Sequence, residues 1–191
     1  MDGTEILGGR GLIVKRLVGV CVLWIAVCGV ARAQFGLYVM GSGGNWGANA
    51  VRNTSSFTAY GGTVGGYDNF LGAGPLKLGG DARFFVQSSS NHNSYGNQLR
   101  GGLLGMRVAI TPPILPLKPY IQAEVGGAST NYGIQSNRAL NFAYQVQGGV
   151  DWTIFPHVDV RGEYGAGKAL GNIGGTSTTL QEFGAGIVLR L

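Results

Sequence analysis

Beyond residue 33 the chain has no cysteine, since Cys21 and Cys28 both lie upstream. That stretch has no thiol with which to form a disulfide, bind a soft metal or act as a nucleophile. Charge is also scarce, at 12% of residues, and the positive residues are scattered. No basic stripe tracks a phosphate backbone, which argues against a nucleic-acid partner. The two histidines, His92 and His157, are far apart in sequence. There is no H-E-x-x-H, no G-x-S-x-G and no glycine-rich phosphate loop leading into a helix. Nothing in the sequence points to a cofactor, a metal or a catalytic set.

The one long apolar run, Leu17 to Val30, follows Arg10, Lys15 and Arg16 and precedes Ala31-Arg32-Ala33. A basic start, a short apolar middle and an A-x-A end make an export signal, with cleavage expected between Ala33 and Gln34. The run is short of the roughly 20 residues that a membrane-crossing helix requires. Four basic and two acidic residues leave with the signal, so the net charge falls from +5 to +3. Of 191 residues, removing the first 33 leaves 158, a size that suits one domain.

Glycine is abundant, with 36 in the chain, and each weakens a helix interior by about 1 kcal/mol. No 3.6-residue apolar stripe follows Gln34, whereas period-two alternation recurs. All six prolines fall at three places: Pro75; Pro112, Pro113, Pro116 and Pro119; and Pro156. Proline donates nothing to a strand ladder, so each place marks a turn. Between them lie longer segments rich in Gly, Ser, Asn and Thr: Gly41 to Ser56, Ser88 to Gln98, Ser129 to Asn141, and Leu170 to Thr178. Three turns and four loops imply eight strands, with all the loops at one end. The pattern predicts them over Phe35 to Met40, Phe57 to Phe70, Leu76 to Gln87, Leu99 to Ile110, Tyr120 to Ser129, Phe142 to Ile154, Val158 to Ala166, and Thr179 to Leu191.

In the third predicted strand Leu76, Leu78, Ala82, Phe84 and Val86 share one face, while Lys77, Asp81, Arg83 and Gln87 share the other. The same split sets Leu104, Met106, Val108 and Ile110 against Arg107, and Ile121, Ala123 and Val125 against Gln122 and Glu124. An eight-stranded barrel has an interior only wide enough for side chains to fill. The small, polar, glycine-studded face fits inside, and the large apolar face makes an outward band that lipid requires. Lys77 or Arg83 at the bilayer midplane would cost about 2 to 4 kcal/mol each. An open edge in hydrocarbon would leave amides unpaired, so the sheet must close. The fold class is therefore all-β, an eight-stranded antiparallel up-and-down transmembrane β-barrel over residues 34–191. Tyr67, Phe70, Tyr120, Trp152, Phe155 and Tyr164, near strand ends, suit the aromatic girdles.

The segments AYGGTVGGYDNF (Ala59 to Phe70), LKPYIQAEVGG (Leu117 to Gly127), VDVRGEYGAG (Val158 to Gly167) and FGAGIVLRL (Phe183 to Leu191) resemble the small outer-membrane barrels of the OmpA/OmpX and opacity-protein type. The resemblance covers essentially all of Gln34 to Leu191. It implies a monomer in the cell outer membrane, in contact with outer-membrane lipid and lipopolysaccharide. It also implies handling by periplasmic chaperones and the barrel assembly machinery. Gly186, Leu189 and Leu191 match the spacing of the family's C-terminal assembly signal, although the family usually ends in an aromatic residue where this chain has Leu191.

The inward face carries Lys77, Arg83, Arg107, Arg161 and Arg190 against Asp81, Glu124, Asp151, Asp159, Glu163 and Glu182. Bridged charges in a narrow lumen satisfy one another, so a plugged barrel is expected. Asp159 and Arg190 are expected at a rim, in water. Asn45, Trp46, Asn53, Tyr95, Asn97, Tyr132 and Asn137 mark loops that could meet a surface partner. The reading is a non-enzymatic envelope or surface-interaction protein. Three others stay open: a narrow porin-like channel, a soluble lipocalin-like barrel, and an enzyme. The last rests on His92-Asn93-Ser94, which resembles the dyad of outer-membrane lipid A deacylases but lacks a nearby carboxylate.

Overall fold

The structure is a computed structural model that describes residues 34–48, 57–89, 97–131, 140–173 and 176–191. Eight strands follow in order: β1 (Gln34–Ala48), β2 (Phe57–Ala73), β3 (Leu76–Ser89), β4 (Asn97–Ile110), β5 (Leu117–Asn131), β6 (Leu140–Phe155), β7 (Val158–Ile173) and β8 (Thr176–Arg190). Each is antiparallel to its chain neighbours, and β8 pairs with β1 to close the barrel. No helix occurs among the described residues.

The strands are longer at the loop end than composition predicts. Gly41–Ala48, expected as loop, continues β1 and pairs with both β2 and β8. Val158 likewise runs on through Ile173. In a closed ladder successive residues hydrogen-bond alternately to the two flanking strands and no amide is left unpaired, and this outweighs the weak strand propensity of Gly, Ser and Asn.

Two of the proline turns are tight. Gly74, before Pro75, sits at φ 60°, a backbone conformation that suits glycine. His157, after Pro156, sits at φ 71° and is held by its own contacts with β8: Arg190 N donates to His157 O at 2.8 Å, and His157 Nδ1 lies 3.2 Å from Arg190 O. Pro119, expected in a turn, instead lies within β5.

Alternation sorts the side chains as the solvent argument requires. Leu104, Met106, Ile121, Val125, Val146 and Ile187 point outward, and Leu104 is 65% exposed. Phe35, Phe70, Trp152 and Phe155 are exposed at the proline-turn end, and Tyr60 and Phe142 near the loop end. Tyr164 also faces outward. Tyr67 and Tyr120 depart from their expected girdle places, because both are buried inside the barrel.

Candidate functional site

The lumen is built in layers by the inward row of each strand. At the proline-turn rim Asp159 is fully buried between Lys118 and Arg190, each with a nitrogen 3.0 Å from Oδ2. The expectation of a water-solvated Asp159 is thus corrected, because Lys118 from β5 and Arg190 from the neighbouring β8 enclose it.

Above the rim, Asp151 binds two guanidinium groups. Arg161 donates to it through Nε at 2.7 Å and Nη2 at 2.9 Å, and Arg107 through Nη2 at 2.6 Å. Three tyrosines complete the layer. Arg107 is held between the rings of Tyr67 and Tyr120, with Cζ 4.0 and 3.9 Å from their centroids. Arg161 lies 4.3 Å from the Tyr38 ring centroid. Ring faces attract a desolvated cation, which offsets donors such as Arg107 Nε that have no hydrogen-bond partner among the described residues. The rings fit because glycine stands opposite each one: Tyr38 faces Gly65, Tyr67 faces Gly36, and Tyr120 faces Gly149. A Cβ on Gly36 or Gly149 would lie 2.5 Å from the facing tyrosine.

The middle layer centres on Arg83. It donates to Glu163 Oε1 at 2.6 Å and lies 3.0 Å from Glu124 and 3.6 Å from Asp81. One cation faces three carboxylates here, and neutral donors supply the difference. Tyr38 donates to Asp81 at 2.7 Å, Tyr120 to Glu163 at 2.7 Å, and Gln122 and Gln147 to Glu124 at 3.2 and 3.3 Å.

Glu182 lies apart from the cations. It is buried and accepts from Gln145 at 3.1 Å, with the Thr63 hydroxyl 3.3 Å away. Ser42 joins that group through Thr63 and Gln87. Lys77 is half-buried near the rim and makes no ion pair among the described residues. Asp81, Arg83, Arg107, Glu124, Asp151, Arg161 and Glu163 are therefore brought together in ion pairs, whereas Lys77 and Glu182 are not.

Toward the loops an apolar cluster shares the lumen with buried Gln87, Ser89 and Gln145. Phe85, Leu99, Leu103 and Leu180 pack with Ala59, Ala128, Ala143 and Ala169, all buried. The sequence reading singles out neither this cluster nor Tyr38, and places Tyr67 and Tyr120 in the girdles. Their signal was parity, since Leu99 and Leu103 alternate in step with Arg107, and Tyr120 with Gln122 and Glu124.

The remaining candidates are scattered. Leu189 faces outward on the last strand, Leu191 just past it is exposed and its N donates to Phe35 O at 2.9 Å, and Gly186 lies on the inward row. Asn45, expected in a loop, lies on β1 and accepts from Thr58 at 3.0 Å. Trp46 and Asn97 lie in the strands β1 and β4. Asn53, His92, Asn93, Ser94, Tyr95, Tyr132 and Asn137, together with Ala31 and Ala33, lie outside the described residues.

No family model and no curated protein matches the chain. Among solved structures it is similar to Neisserial surface protein A, with a TM-score of 0.66 and 15% identity over 83% of this chain and 99% of that one. It is also similar to the outer membrane enzyme PagL, with a TM-score of 0.56 and 14% identity over 81% and 99%. The fold is that of the small eight-stranded outer-membrane barrels. At such identities the likeness is one of fold alone, and that fold carries an enzyme in PagL. A closed barrel of this kind, wrapped in a band that only lipid can cover, is an integral outer-membrane protein.

Proposed function

We propose that the chain is a non-enzymatic outer-membrane barrel with a closed lumen, acting as an envelope-structural or surface-interaction scaffold. On this reading it is exported, cleaved after Ala33, and assembled through the strand ending in Leu191. It works as a monomer. The observation that carries the reading is the filled interior. Buried Arg83, Arg107 and Arg161 bridge the barrel, and an apolar cluster that includes Phe85, Leu99 and Leu103 fills space beside them and toward the loops. An ion entering from the loop side would lose its water against those apolar side chains before it reached the arginines. Purified protein in planar bilayers is therefore expected to give no large, sustained conductance, and persistent porin-sized steps would overturn the closed lumen.

The likeness to PagL favours a second reading, a lipid-modifying enzyme using His92 and Ser94. Mass spectrometry of lipid A from cells with and without the gene separates the two. The non-enzymatic reading expects one acylation pattern in both, and a lost acyl chain would support the enzyme.

A further inference from the structure

Among the described residues two cations alone lie on the outward row, Arg100 on β4 and Lys168 on β7. Arg100 stands ten residues along β4 from Ile110, and Lys168 ten residues along β7 from Val158. At about 3.3 Å per residue and a tilt near 40°, both are roughly 25 Å above the proline turns. That is the height of the apolar band in such barrels, so both cations meet the head-group level of the outer leaflet. The single outward carboxylate among the described residues, Asp68, pairs with Phe35 at the opposite end.

Below Arg100 the apolar wall is hollowed. Ala82 and Gly102 are small where Val64, Phe84 and Leu104 stand around them, leaving a groove of about 490 Å³ that opens to the lipid. Gly102 is two residues from Arg100 on the same face, roughly 7 Å along the strand. Arg100 is exposed and makes no ion pair among the described residues, and its neighbours across the ladder, Val86 and Ser129, are uncharged.

We infer that this groove and Arg100 form a binding site for a phosphorylated, acylated lipid of the outer leaflet. The guanidinium holds a phosphate, and an acyl chain lies in the hollow over Gly102. Arginine matches phosphate with two parallel charge-assisted hydrogen bonds. The hollow accepts a chain that a Leu or Phe at position 102 would exclude. This inference rests on the outer-membrane reading and gives it a lipid with a defined place.

The test is native mass spectrometry of the purified barrel titrated in detergent with bisphosphorylated lipid A, with phosphatidylethanolamine and inorganic phosphate as separate arms. Wild type is expected to keep one lipid A that millimolar phosphate does not displace, and to hold phosphatidylethanolamine less well. Arg100→Gln is expected to weaken retention about tenfold, the loss of a charged hydrogen-bonded contact. Gly102→Leu should weaken it as well while leaving the fold intact, because a Cβ there meets only a carbonyl oxygen at 3.9 Å. Retention equal to wild type in both variants, or displacement by free phosphate, would overturn the site. Heat-dependent gel mobility is read on the same samples. Lipid loss in variants that keep this mobility supports the site, and its absence in wild type would remove the membrane-barrel reading and the site with it.

Discussion

Asp151 is the most consequential single residue in the lumen, because two buried guanidinium groups depend on its carboxylate. Removing one member of a buried pair leaves an uncompensated charge, at about 3 to 5 kcal/mol. Asp151→Asn is thus expected to lower stability by that order in urea titrations of the detergent-folded barrel. Lys118→Met, which leaves Asp159 its second partner Arg190, should shift it by less. Equal effects would mean that the ions do not hold the lumen together. The tyrosines show how a residue's face is decided. Nearness to a strand end argues for a girdle and parity argues for the interior, and parity prevails at Tyr67 and Tyr120 because each ring finds an opposing glycine and a cation to cover.

At the scale of the element, strand count and face were legible in the sequence, because period-two alternation and proline placement are local signals. Strand length was not. Gly41–Ala48 and the end of β7 have loop composition, and only closure against partners distant in sequence makes them strands. The same limit hid Glu182, whose charge and parity mark it as inward but whose distance from Arg83 depends on stagger between strands. The turns are more predictable. Gly74 holds a φ of 60° that a β-branched side chain resists, so Gly74→Val should destabilise the β2–β3 hairpin by about 1 to 2 kcal/mol. The thermal midpoint of the mobility shift would report it, and an unchanged midpoint would show that the turn tolerates another conformation.

For the whole molecule, the arrangement is inverted relative to a water-soluble barrel. Large apolar side chains surround it, and its ions lie within, with a small apolar cluster among them toward the loops. The composition implied the charged interior. It did not reveal the apolar cluster inside, because the apolar inward residues look like outward ones until each strand's parity is followed to its end. With no cysteine after Ala33, single-cysteine variants can carry a nitroxide label at one site each. The most direct test labels Leu104, Val125 and Ile187 in reconstituted vesicles and compares relaxation by oxygen with relaxation by a water-soluble nickel chelate. Strong oxygen access with little chelate access is expected at all three. Ready access of the chelate at these positions would contradict the assignment of the outer face to lipid, and with it the fold's orientation in the membrane.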